Sequence, residues 1–210
     1  MKIRLLIALS FMLTLSVHAN DHLAPSDKVQ SNDQVIVNLA ESLTKIFESD
    51  LDKSRAIHKW VTKNISYDQS TLKKIELGFY DPASEGAQDA NSVLESKTAV
   101  CEGYANLAAA LHRAIGIPAK VSIGKSSPHP YRLYPLYKMN NLFSDLNKVT
   151  SLHAWAEVKI NGKWLPVDPT FDAGSVVNGG AWVRNVQTDF FNPDPEYFNR
   201  THLKTGEMDQ

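Results

Sequence analysis

The chain has 210 residues, 43% of them hydrophobic, with 23 acidic against 22 basic side chains. That length suits one domain with an adequate core. The near-neutral charge supplies no basic surface for nucleic acid or a membrane, and a single cysteine, Cys101, excludes an internal disulfide.

Residues 1–19, MKIRLLIALSFMLTLSVHA, read as a secretory signal peptide. Lys2 and Arg4 precede an apolar run from Leu5 to Val17, and Val17 and Ala19 occupy the small-residue positions of a cleavage site. The run is shorter than the roughly 20 residues a spanning helix needs, and no cysteine follows it to carry a lipid. Without Lys2 and Arg4, 20 basic residues face 23 acidic ones, a formal charge of −3. A secreted or periplasmic protein is expected, with no membrane anchor after cleavage. Residues 20–30 are polar and read as a flexible leader, and residues 31–210 as one domain.

Ser31 and Gln34 form a capping-box pattern. Val35, Leu39, Leu43, Ile46 and Phe47 then recur at helical spacing to about Glu48. A second helix is expected from Asp52 to Asn64, with Ile57, Trp60 and Val61 on one face. Gln69 to Asn91 reads as irregular, and DPASEG marks a turn. A third helix begins close to Cys101 and runs to Ile115, where Gly116 and Pro118 stop it. Cys101 therefore sits at a helix N-terminus, where free N–H groups and the helix dipole favour an anion such as a thiolate. AKVSIG (119–124) reads as a strand. Residues 125–151 form a long loop that could lid a site, and LHAWAEVKI (152–160) is a second strand. Asn161-Gly162 is a two-residue hairpin turn, and KWLPVDP returns.

That turn fixes a register. If Ile160 faces Lys163, then Asp168 lies opposite Trp155, and His153 and Asp168 are diagonal neighbours on one face. Their Cβ atoms are then within roughly 7–8 Å, close enough for imidazole to meet carboxylate, and a slip of one residue would separate them. A lone thiol, a histidine and a carboxylate are the parts of a nucleophilic acyl-transfer site. The thiolate attacks an acyl carbon, the histidine moves protons, and the carboxylate orients the histidine. Backbone N–H groups of Cys101 and Glu102 would face the oxyanion, and Tyr67 in NISYD is a candidate second donor. His58, His112, His129 and His202 are scattered and read as structural or surface. No metal centre, calcium loop or cofactor is expected.

Three blocks carry a resemblance. HKWVTKNISYD (58–68), TAVCEGYANLAAALHRAIGIPAKVSIG (98–124) and HAWAEVKINGKWLPVDPTFD (153–172) resemble the transglutaminase-like superfamily, a papain-like cysteine fold. The resemblance implies an α+β domain with the nucleophile helix packed on an antiparallel β-sheet. By position it matches Cys101 to the nucleophile, His153 to the base and Asp168 to the carboxylate. It implies a cysteine-dependent enzyme acting on a protein or peptide, cell-envelope peptides included. Hydrolysis is expected because water is the default acceptor. A glutamine-directed transglutaminase and a non-catalytic binding module are the alternatives.

Overall fold

The computed structural model describes residues 22–85, 87–127, 151–176 and 181–208. The signal-peptide expectation and most of the loop read as a lid, residues 128–150, fall outside these.

The chain first forms α1 (Gln34–Thr44) and α2 (Asp50–Asn64). Asp33, not Ser31, caps α1, accepting a hydrogen bond from the Val35 N–H at 2.9 Å. The buried stripe is accordingly Ile36, Ala40 and Thr44, while Val35 and Ile46 face outward. Ser49 caps α2 from the Asp52 N–H. β1 (Ser66–Tyr67) follows, and then comes the stretch read as irregular. It contains α3 (Gln69–Glu76), α4 (Pro82–Glu85) and α5 (Ala90–Ser96). Asp68 and Asp89 cap α3 and α5 with their carboxylates. Short capped helices of this kind carry too few turns to show apolar periodicity.

β2 (Thr98–Ala99) pairs in parallel with β1, aligning Tyr67 with Ala99. α6 (Cys101–Ala114) then runs through the centre, with every residue from Gly103 to Arg113 buried. It packs against α1, α2 and α5 and against the next two strands. Leu107 and Leu111 are wholly buried, each contributing roughly 2 kcal/mol by removal of apolar surface from water. Alanines at 105, 108, 109 and 110 let these neighbours approach closely.

The main sheet is antiparallel, in the order β5-β4-β3-β8. Its strands are β3 (Ala119–Ser126), β4 (Ser151–Ile160), β5 (Lys163–Val167) and β8 (His202–Glu207). The hairpin register is the expected one: Ile160 faces Lys163 and Ala156 faces Val167. Asn161 and Gly162 both take positive φ, 51° and 77°, as a type I′ turn requires. Between β5 and β8 lie α7 (Pro169–Ala173), β6 (Gly174–Val176), β7 (Trp182–Arg184) and α8 (Pro195–Thr201). β8 joins the far edge of β3 through a bulge between Ile123 and Gly124, where His202 pairs with Ser126. A Cβ on Gly124 would lie 2.0 Å from the Leu203 carbonyl oxygen, so only glycine allows β8 to lie this close.

The polar segment read as a flexible leader is packed from residue 22 onward. Val29 is wholly buried, the Ala90 N–H donates to Lys28 O, and the Ala119 N–H donates to His22 O. Arg113 reaches the Ala24 carbonyl at 2.7 Å. Its backbone hydrogen bonds, not its composition, hold the segment down. Among the described residues no helix is long and apolar enough to cross a membrane.

Candidate active site

Cys101 is the first residue of α6. The preceding cap position is Val100, extended and with no side-chain hydrogen bond into the helix. The first N–H groups of a helix have no partner within it, so this end presents donors and positive potential around a half-buried free thiol. β1 and β2 fix its approach, because Ala99 is held to Tyr67 two residues before the thiol.

β4 brings His153 to the thiol and β5 brings Asp168 to His153. The His153 Nε2–H donates to Asp168 Oδ2 at 2.6 Å, and both side chains are buried. Cys101 lies near enough to His153 to favour its charged form. With Nε2 committed to the carboxylate, Nδ1 is the ring nitrogen left for the thiol. Burial alone would disfavour an imidazolium, but the Asp168 charge and hydrogen bond, aided by Cys101, push His153 up to about 10. Burial likewise opposes the Asp168 charge, yet His153 and a second histidine hold it well below the usual carboxylate range.

Asp168 is also the N-cap of α7. Its Oδ1 accepts the N–H groups of Thr170 at 3.0 Å and Phe171 at 3.4 Å. Its own N–H donates to Phe190 O. The carboxylate is therefore anchored by the backbone independently of either histidine. Around it lies an aromatic shell. Phe171 stacks on His153 at 4.4 Å, Trp155 lies parallel to it at 6.0 Å, and Trp155, Phe190, Tyr197 and Phe198 form a buried cluster. Such a shell excludes water and strengthens the charges within it.

Tyr67 stands beside the thiol. Burial first, then the nearness of Cys101, keep its hydroxyl well above the usual phenol range, so it remains an O–H donor. Trp182 of β7 stacks on its ring at 6.2 Å. The Glu102 carboxylate lies 3.8 Å from the Lys28 ammonium. Burial raises its carboxyl, and Lys28 partly offsets that.

Two histidines read as scattered prove to be paired with acids. His202 Nε2 lies 3.2 Å from the same Asp168 oxygen, and His58 Nε2 lies 2.7 Å from Asp172 Oδ2 with both side chains wholly buried. No spacing in the sequence links 202 to 168 or 58 to 172. The first contact depends on β8 joining β3 out of sequence order, the second on α7 packing against α2. The donor atoms of His153, Asp168 and His202 all lie within 4.8 Å of one another, a spacing that suits a metal ion as well. Here both imidazoles are already at hydrogen-bond distance from the carboxylate.

A thiol at the start of a buried helix, meeting an imidazole and a carboxylate on a packed antiparallel sheet, defines a papain-like cysteine fold. Residues 37–169 match the model of the transglutaminase-like superfamily, and the chain belongs to that superfamily. It is 26% identical to the mouse (Mus musculus) kyphoscoliosis peptidase over 138 residues, which make up 66% of this chain and 18% of that protein. The human (Homo sapiens) counterpart is 25% identical over the same length. The chain thus spans under a fifth of the length of these curated relatives. A solved structure from Cytophaga hutchinsonii, described as a candidate cysteine protease, superposes with a TM-score of 0.51 at 25% identity. The match covers 78% of this chain and 45% of that one.

Proposed function

We propose that this protein is an exported cysteine-dependent amidase that cleaves a protein or peptide through an acyl-thioester on Cys101. The observation that carries the reading is the His153–Asp168 hydrogen bond set beside the thiol that opens α6. The thiolate attacks the carbonyl carbon while the N–H groups opening α6, with the Tyr67 hydroxyl, face the developing oxyanion. The His153 imidazolium then gives its proton to the leaving amine nitrogen, which leaves with it. Water enters, His153 takes one of its protons, and the hydroxide attacks the thioester. A carboxylic acid departs and the thiol is restored. Asp168 keeps the imidazole in one tautomer and balances its charge without taking the proton. The expected location is the periplasm or the extracellular medium, consistent with a signal-like N-terminus and a slightly acidic mature chain.

The first test is the pH dependence of Cys101 alkylation by iodoacetamide in wild type and His153→Ala. Reaction that persists well below about pH 8.5, the ordinary thiol value, and retreats to it without His153, supports the activated pair. A profile unchanged by the substitution sinks the catalytic reading and leaves a binding module. Peptide substrates then decide the acceptor: a product carrying an added amine in place of the carboxylic acid would make the protein a transglutaminase.

A further inference from the structure

We infer that His202 acts through Asp168: it shares the Asp168 oxygen with His153 and so limits how tightly that carboxylate holds the His153 proton. This rests on the catalytic role of Cys101 and His153 proposed above. Residue 202, on β8, lies outside the segment 37–169 that carries the family match.

Asp168 Oδ2 faces two imidazole nitrogens, His153 Nε2 at 2.6 Å and His202 Nε2 at 3.2 Å. The His202 ring is wholly buried, stacks on Phe198 at 4.0 Å, and has Thr201 Oγ1 at 2.9 Å from its Nδ1. Burial lowers its proton affinity to about 4, so at neutral pH the ring is uncharged. It can then satisfy the carboxylate only as an Nε2–H donor. A carboxylate oxygen that accepts a second hydrogen bond has less charge to give the first. His153 must take a proton and later release it to a leaving amine, and an Oδ2 in a dry site with no second donor of its own would hold the imidazolium too well. Orientation is not what His202 supplies. Thr170, Phe171 and Phe190 already fix Asp168 through the backbone.

Among the described residues, the other titratable groups facing this cluster are Cys101 on α6 and Tyr67 on β1. Lys204 and Glu207, further along β8, are taken up with Glu157 and Lys120. The pH profile of Cys101 alkylation therefore reads the His153–Asp168–His202 cluster directly, with no knowledge of the substrate.

The experiment compares wild type, His202→Phe and His202→Gln. In the phenylalanine variant His153 keeps its proton to higher pH, so the alkaline limb of alkylation, where the imidazolium is lost, is expected to move up by about half a unit or more, the scale of one lost hydrogen bond to a charged group. Glutamine restores an N–H donor and is expected to return the limb to within experimental error of wild type. If the phenylalanine variant loses its cooperative melt, His202→Leu replaces it. If that also fails, His202→Asn is used, whose shorter amide cannot span to Asp168. An unshifted limb, a shift to lower pH, or a glutamine variant that shifts as far as phenylalanine would overturn the inference. Failure of the underlying catalytic reading is seen separately, in a wild-type profile that His153→Ala does not change.

Discussion

Asp168 serves two masters, the imidazole of His153 and the first turn of α7, and this decides what its replacement should do. An asparagine side chain would still cap α7 through its carbonyl oxygen, so Asp168→Asn should fold. Its lost charge leaves the His153 imidazolium unsupported in a dry site, and kcat is expected to fall by about 10³-fold or more. A melting curve close to wild type beside that loss would separate the two roles. An Asp168→Asn enzyme that retained a tenth of its activity would show that the charge is dispensable. Tyr67→Phe isolates the second oxyanion donor. With the ring still stacked on Trp182, kcat should drop about 10²-fold with KM little changed. Equal rates for both chains would leave Tyr67 as a packing residue.

The hairpin of β4 and β5 was legible before the structure because the Asn161-Gly162 turn and strict alternation leave a single register. The thiol at the start of α6 was legible in the same way, whereas the Asp33 cap of α1 and the short helices α3, α4 and α5 were not. The contacts that could not be read pair residues 34 and 114 positions apart, His202 with Asp168 and His58 with Asp172. The long-range packing of β8 and α7 creates them, and nothing in the intervening sequence encodes it. The His58–Asp172 pair joins α2 to α7, and the Asp172 carboxylate also accepts the Phe190 N–H at 3.0 Å. Asp172→Ala would strand a buried histidine and a buried N–H together. A loss of about 3–5 kcal/mol is expected, measured by urea denaturation. A loss under about 1 kcal/mol, the scale of a surface ion pair, would mean that the pair is not carrying the α2–α7 junction.

Two buried histidines, His112 and His202, help set the pH window of the folded protein. His112 is buried between Ser54 Oγ and the Ala108 carbonyl, and burial lowers it to about 4. His202 is lowered to about 4 as well. Unfolded, each returns to about 6.5 and binds a proton that the fold refuses, so stability is lost as pH falls from about 6.5 towards 4. Asp168, held low in the fold, adds to this loss once pH falls below about 4. His153 works in the opposite direction: raised to about 10, it stabilises the fold below its unfolded value and loses that contribution as pH climbs from about 6.5 to 10. Calorimetric Tm should therefore peak near neutrality. His112→Gln should flatten the acid side alone, and an acid slope unaltered by that substitution would remove His112 from the account. There is also an order of events built into the chain. Synthesis proceeds from the N-terminus, and Cys101, His153 and Asp168 are all joined to the chain before the residues of α8 and β8. A nascent chain halted at residue 169 holds the thiol, the base and the acid, yet has neither the strand that covers the β3 edge nor the second imidazole at Asp168. The finished arrangement around that carboxylate is thus reserved for chains made through β8.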